Sequence, residues 1–434
     1  MDERAVKVAV VGAGFGGLTF CQHFEHPRAN VTVVDRTNHH LFQPLLYQVA
    51  MAGLSAPDIA QPIRSIVRHR PRLEVLMDEV VGFDLPARRV LCRENQLNYD
   101  YLVLGFGGIT SYFGHPEWAE FAPGLKTLDD ALLIRRNILL AFEQAETRRD
   151  VEEQARLMTI VVVGGGPTGV ELAGACAELA HRVLRRDFDR IDPRRARILL
   201  IEASPRVLGQ FPDDLSARAQ RQLEQLGVEV RTSCAVKSLQ SGTLTLANGE
   251  VIQAGNILWG AGVMAHPLTR QLGVELDRAG RIKVNPDLSL PGHPEVFALG
   301  DIVSVMQANG QPVPGVAPAA MQMAKHVATV LRLELSGQGV AAKRPPFRYW
   351  NKGNLATIGR SAGIAHIGRL KLAGFPAWFA WLVVHLIFLI GFRNKLAVFI
   401  SWTYSYFTYR LGARIITGGG APPPKAPEAK VILQ

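Results

Sequence analysis

Short runs of apolar, mostly β-branched residues recur along the chain, and each ends in glycine or an acid. The run "KVAVV" at Lys7–Val11 predicts a strand buried on both faces. A helix over roughly 16–24 follows, and "ANVTVVDR" predicts a second buried strand that ends in Asp35. The same order returns further on, with a strand at Thr159–Val163, a helix beginning at Val170–Leu179, and "RILLIEA" ending in Glu202. "LNYDYLVLGFGG" predicts a strand and turn after the first unit, and "NILWGAGV" takes the equivalent part after the second. "HPEVFALGDIV" at His293–Val303 predicts a strand running into Gly300 and Asp301. The pattern is that of one α/β domain interrupted by another.

The turns between these elements carry the chemistry. Gly12, Gly14 and Gly17 form GxGxxG between strand and helix, with Asp35 closing the next strand. This is the dinucleotide fingerprint. Gly12 permits the tight turn, Gly14 lets a pyrophosphate approach the backbone, and Gly17 lets helix and strand pack closely. Asp35 can accept ribose hydroxyls, and the helix N-terminus offers N–H groups and partial positive charge to the phosphates. Gly164, Gly166, Gly169 and Glu202 repeat the device about 150 residues later.

Beyond Ser336 the pattern changes. Ala373–Phe392, "AGFPAWFAWLVVHLIFLIGF", holds 20 residues without a formal charge, about enough to cross a bilayer. Trp378, Trp381, Trp402, Tyr404, Tyr406 and Tyr409 are spread along this region, and Arg369, Lys371, Arg393, Lys395, Arg410 and Arg414 punctuate it. Such a mixture favours helices lying in the membrane interface over a spanning helix or a buried face. Residues 418–434 are rich in Gly and Pro and are expected to be disordered.

The chain of 434 residues is 48% hydrophobic and 20% charged, which suits two or three folded domains. Its net charge of +10 suits nucleic acid, anionic lipid or a negatively charged small molecule and does not choose among them. Cys21, Cys92, Cys176 and Cys234 contain no close pair, which argues against a zinc site, a redox dithiol or a disulfide framework, and for a reducing compartment. The adjacent His39 and His40 are poorly spaced for a metal, and no secretory signal precedes the first strand.

The two fingerprints, the loop "NHHLFQPLLYQVA" at Asn38–Ala50, "FALGD" and the apolar C-terminus together resemble type II NADH dehydrogenases, single-subunit NADH:quinone oxidoreductases of the two-dinucleotide-binding-domain flavoproteins. The resemblance covers nearly all of residues 5–416. It implies two Rossmann-like domains, one inserted in the other, plus a membrane-associating helical segment. The expected FAD-binding domain is 1–120 with 270–335, the NADH-binding domain is 155–269, and the C-terminal membrane-anchoring region is 340–417. The first site would hold FAD through Gly12, Gly14, Gly17 and Asp35, with Asp301 on the flavin side and Gly300 giving room. The second would admit NADH at Gly164, Gly166 and Gly169, with Glu202 on the adenosine ribose. Gly16, Val80, Thr168 and Gly262 are further cofactor-binding positions. Pro44, Leu45 and Leu46 would lie against the flavin ring, with Gln43 facing the quinone.

Glu171 and Gln322 are the candidates for chemistry on the acceptor side. Glu171 would orient the nicotinamide or deliver protons to the quinone, and Gln322 would hydrogen-bond a quinone carbonyl or the flavin pyrimidine. Independently of family, a carboxylate at Glu202 welcomes a ribose 2′-hydroxyl and repels a 2′-phosphate, although Arg206 lies four residues on. The sequence departs from the family twice: Gly105-Phe106-Gly107-Gly108 stands where Ala-Thr-Gly is usual, and Pro318 replaces the first Gln of the quinone-side motif.

The implied reaction takes hydride from NADH to FAD and electrons to a membrane quinone without pumping protons, on the cytoplasmic face of the inner membrane. The resemblance implies docking to the bilayer surface and no nucleic-acid partner, and it leaves the oligomer open, dimers through C-terminal parts being common in the family. The rivals are a sulfide:quinone oxidoreductase, which needs reactive cysteines near the flavin, another pyridine-nucleotide reductase, and a flavin sensor without turnover.

Overall fold

The computed structural model describes residues 5–307, 310–337, 344–408 and 411–417. Tyr409, Arg410 and the tail 418–434 lie outside them. Contacts divide the chain into two units: 1–42, 60–111 and 263–352 in the first, 43–59, 112–262 and 353–434 in the second.

In the first unit the apolar runs become a six-stranded sheet. Its order is Ser289–Leu290, His293–Ala298, Tyr101–Leu104, Val6–Val11, Ala29–Asp35, Leu73–Met77. All neighbours are parallel except the first pair. Val8, Val10, Val11, Val33 and Val34 are at most 2% exposed, as expected for strands covered on both faces. Helix Phe15–His23 packs against helix Ala317–Leu335. Pro318 falls in the first turn of that second helix, where a missing N–H costs no intrahelical bond.

The second unit repeats the plan with four parallel strands: Val228–Arg231, Ile198–Ile201, Ile160–Val163, Asn256–Trp259. Three of these are buried at every position. Helix Pro167–Glu178 follows the central strand, and helix Leu128–Thr147 opens with a capping box between Thr127 and Asp130.

The C-terminal part belongs to this second unit. Strands Asn354–Thr357, Gly363–Ile367 and Leu370–Ala373 form an antiparallel sheet, and helix Phe375–Phe388 packs on it. The 20-residue apolar run does not form one helix. It breaks after Phe388, Gly391 takes a φ of +86°, and helix Phe392–Thr408 begins anew. Helices of 14 and 17 residues are about 21 and 26 Å long, short of a bilayer core of about 30 Å. Among the described residues no helix is long and apolar enough to cross a membrane.

Candidate functional site

Both glycine loops are built alike, each within its own unit. Gly12 has a φ of +92°, and a Cβ there would stand 2.7 Å from the Gly105 carbonyl oxygen. Gly164 has a φ of +106°, and its Cβ would meet the Ala261 nitrogen at 2.6 Å. Only glycine suits either position. A Cβ at Gly17 would lie 1.8 Å from the Gly12 oxygen, and one at Gly169 would lie 1.7 Å from the Gly164 oxygen. The acids are tied to the loops in the same way. Asp35 accepts from the Ala13 N–H at 2.7 Å, and Glu202 accepts from the Gly165 N–H at 2.5 Å.

What each loop leaves open is equally alike. Gly14 and Gly166 are the N-caps of the helices Phe15–His23 and Pro167–Glu178. Neither cap has a side-chain hydrogen bond and neither first turn holds an acid, so the terminal N–H groups and the dipole are left for an anion. A Cβ at Gly14 would have a single neighbour, 4.0 Å away, and one at Gly166 would have none within 4 Å. That space and those bare donors fit the pyrophosphate of a dinucleotide at each loop.

The remaining predicted positions in the first unit are Gly16, Gly300, Asp301 and Val80. A Cβ at Gly16 would collide with Leu299, which leads into Gly300 (φ +79°) and Asp301. The Gly300 N–H donates to Met323 Sδ at 3.3 Å, and the Asp301 side chain lies beside Gly108 and Gly315. Val80 starts the strand Val80–Asp84 and is partly covered. Phe106 is held between the rings of Phe83 and His266, which explains how the turn accepts it. His40, poorly spaced for a metal in the sequence, lies beside this loop. It is 3% exposed, its Nδ1 stands 2.9 Å from the Ala13 carbonyl oxygen, and its Nε2 is buried without a partner among the described residues. Burial holds its pKa below the usual imidazole value.

Gln322 is engaged at both ends of its amide. It donates to the Trp350 carbonyl at 3.0 Å and accepts from the Trp350 N–H at 2.9 Å. It therefore fixes the backbone that presents Trp350, whose side chain is exposed.

In the second unit, Thr168 is exposed at the start of its helix, and Gly262 (φ +79°) sits against the Phe113 ring. Gln43 donates to the Lys126 carbonyl at 3.1 Å, Pro44 is in the 3₁₀ turn Gln43–Leu45, and Leu45 and Leu46 are fully buried.

Glu171 has the most unusual surroundings. Part of it reaches accessible space, yet it is crowded by protein on most sides, and that burial pushes its carboxyl up to about 8. The Thr357 N–H donates to it weakly at 3.4 Å. The Trp381 indole N–H is near enough to favour the ionised form, although it makes no hydrogen bond of its own among the described residues. Tyr47 stands by the same carboxylate and by Glu178, and its own pKa is driven well above 10, first by burial and then by Glu171. Gln48 donates to the Tyr47 hydroxyl at 2.9 Å and accepts from the Trp402 indole at 2.7 Å. Trp381 stacks on His385 at 3.9 Å, and burial holds that imidazole at about 4.

Glu178, seven residues after Glu171 on the same helix, is also raised by burial, opposed by the Arg360 N–H at 2.5 Å. A carboxylic acid that keeps its proton at neutral pH, walled by neutral aromatic groups, can donate that proton. Glu178, the second acid in an otherwise apolar helix, was visible in the sequence. Tyr47 lies in the loop motif and Trp381 in the aromatic C-terminal run, but neither pattern indicates a place beside Glu171.

The cysteines offer no comparable chemistry. None is in a disulfide. Burial pushes the Cys21 and Cys176 thiols up to about 12 and the Cys92 thiol up to about 11. The described residues contain no cluster suited to a metal ion.

Residues 6–324 match the family described as pyridine nucleotide-disulphide oxidoreductase, and residues 351–411 match the NDH2 C-terminal domain. The chain is 43% identical over 426 residues to the type II NADH:quinone oxidoreductase Ndh of Mycobacterium tuberculosis, covering 95% of this chain and 91% of that one. It is 27% identical to the external NADH-ubiquinone oxidoreductase 2 of Saccharomyces cerevisiae mitochondria, covering 93% and 81%. Among solved structures, NDH2 of Plasmodium falciparum in complex with NADH superposes with a TM-score of 0.87 at 21% identity, covering 96% and 100%. The sulfide:quinone oxidoreductase of Aquifex aeolicus has a TM-score of 0.68 at 17% identity, covering 93% and 96%, a likeness of fold.

Proposed function

Because the chain belongs to the type II NADH:quinone oxidoreductases, we propose roles for its residues from that premise. The enzyme oxidises NADH and reduces a quinone through FAD, and it pumps no protons. FAD, when bound, supplies the redox chemistry by taking up hydride and giving up electrons to the quinone.

The chain's part is to bind, orient and supply a proton. Gly12, Gly14, Gly16 and Gly17 present the first bare helix terminus to the FAD pyrophosphate, with Asp35, Val80, Gly300 and Asp301 completing the site. Gly164, Gly166, Thr168 and Gly169 present the second terminus to NADH, with Glu202 at the adenosine ribose and Gly262 as a further cofactor-binding position. Glu171 holds the proton that quinone reduction consumes, and Gln322 aligns the backbone at Trp350. The observation that carries this reading is the duplication: two open glycine loops, each with a bare helix N-terminus and a tethered acid. Anaerobic NADH is expected to bleach the oxidised flavin band, and a short-chain quinone to restore it. Protein that binds no flavin when refolded or reconstituted with FAD would overturn the assignment, and bleaching without recovery would favour a sensor.

The C-terminal helices dock the enzyme on the lipid surface of the cytoplasmic side, where the quinone is dissolved. Phe375, Phe379, Val383 and Ile387 recur at every fourth position of one helix and are 40–62% exposed. Ala377 and Trp381, on its opposite face, are buried. The next helix exposes Phe392, Leu396, Phe399, Ile400 and Phe407. Apolar area of this extent calls for a lipid or protein cover. Of the nearby cations, Lys371 pairs with Asp214, Arg414 pairs with Asp187, and Lys395 caps the Ile387 carbonyl.

Flotation with anionic phospholipid vesicles tests the docking. Phe379→Asp with Phe399→Asp is expected to weaken vesicle binding by about 100-fold, given about 1.5–3 kcal/mol for each buried Phe. Flavin bleaching by NADH should persist. Unchanged flotation with a loss of dimer in sedimentation would assign the same face to a second copy instead.

A further inference from the structure

The loop after Glu202 closes on the glycine loop that it follows. Glu202 accepts from the Gly165 N–H at 2.5 Å through one oxygen and from the Ser204 N–H at 2.6 Å through the other. Six residues further on, the Leu208 N–H donates back to the Gly165 carbonyl at 2.7 Å. Residues 202–208 are thus fastened at both ends to Gly165. Val207, Leu208 and Phe211 are buried at 0–2% exposure, and Leu208 holds a φ of +51°, so the backbone has little freedom. Arg206 rides on this loop with its side chain partly exposed. Its guanidinium pairs with Asp213, the first residue of helix Asp213–Gln225, and donates to the Gly209 carbonyl at 3.2 Å.

We propose that Arg206 and Asp213, together with Glu202, set the choice between NADH and NADPH, with Asp213 withholding the one cation of this loop from the ribose 2′-position. The inference rests on the second glycine loop being the NADH site. Two devices act in series. The Glu202 carboxylate accepts the 2′-hydroxyl and repels a 2′-phosphate. The Arg206 guanidinium is suited to a phosphate by its planar, multidentate donors, but its Nη1 already faces Asp213 and its Nη2 already donates to the Gly209 carbonyl. Rejection of the wrong nucleotide by a repulsive group, with the attractive one held back, is a common route to specificity. The Asp213 side chain is 89% exposed, so the pair is weak, and a dianionic phosphate can compete for Arg206 once Glu202 is neutralised.

The test compares kcat/KM for NADPH and NADH, and 2′,5′-ADP binding by calorimetry, in full-length protein with bound FAD. Glu202→Gln is expected to raise the NADPH/NADH ratio by about 10–100-fold, the worth of removing one close like charge. Asp213→Asn is expected to raise it by about 2–5-fold, as suits an exposed pair. Adding Arg206→Ala to Glu202→Gln should remove most of the gain and weaken 2′,5′-ADP binding by about 10-fold. Oxidation of NADH by Arg206→Ala and Asp213→Asn reports that the fold and the NADH site are intact. If the ratio does not respond to Arg206→Ala in the Glu202→Gln background while NADH oxidation persists, the proposal fails alone. If Glu202→Gln leaves both nucleotides unaffected, the assignment of the site itself fails.

Discussion

Glu171→Gln should slow quinone-dependent turnover by about 10²–10³-fold, within the range ascribed to a positioned general acid, while NADH still bleaches the flavin at close to the wild-type rate. The reason lies in what the site does to the carboxyl. Its folded-state pKa of about 8 exceeds the ordinary 4.5, chiefly through burial, so at neutral pH the group is an acid with its proton in place. Wild-type turnover should therefore be flat below pH 8 and decline above it as Glu171 ionises. The Gln variant should be slow at every pH and lack that decline.

Stability falls over a different pH range and serves as a control. The folded state binds the proton more tightly than the unfolded chain, so the wild type loses stability as pH rises from about 4.5 to about 8. An amide keeps an acceptor for the Thr357 N–H and has no ionised form to desolvate, so the variant should melt no lower than the wild type at pH 8. Stopped-flow bleaching by NADH, steady-state quinone reduction and a melting curve separate the outcomes. If bleaching is lost and reoxidation is kept, Glu171 orients the nicotinamide and does not deliver a proton.

The two glycine loops were legible in the sequence because everything that makes them is local. Strand, glycines and helix are contiguous, and the closing acid lies one strand further on. The Glu171 pocket was legible only at its centre. Its walls come from Tyr47, Thr357 and Trp381, which stand far from Glu171 in sequence, and no local pattern indicates a place beside it. The aromatic and basic punctuation of the C-terminus pointed to the interface, but the break at Leu389–Gly391 was not read. Periodicity does not distinguish one 20-residue apolar helix from two shorter ones separated by a glycine at positive φ. Gln322 was identified by its place in a motif, whereas its pairing with Trp350 depends on a loop that returns after the helix ends.

Gly166→Ala should yield a protein that folds as the wild type does, keeps its flavin, and loses NADH affinity by about 30-fold or more. A methyl group at that position would hold off a pyrophosphate that needs close backbone approach. Gly166 has a φ of −72° and ψ of 179°, which alanine adopts freely, and its Cβ would touch nothing within 4 Å. All of its cost therefore falls on the ligand. Gly14→Ala, with a φ of −67° and one neighbour at 4.0 Å, should behave in the same way toward FAD, so that the purified protein is depleted of flavin but melts cooperatively.

The contrast is with Gly17→Ala and Gly169→Ala, whose methyl groups would lie 1.8 and 1.7 Å from backbone carbonyl oxygens. Those substitutions push helix and strand apart and should lower stability as well as binding. Flavin content per polypeptide, the KM for NADH and the melting temperature resolve the four variants into a pattern that a merely structural role for the loops does not produce. If Gly166→Ala leaves the KM for NADH unchanged, the open space at that helix terminus is not where the nucleotide phosphates lie.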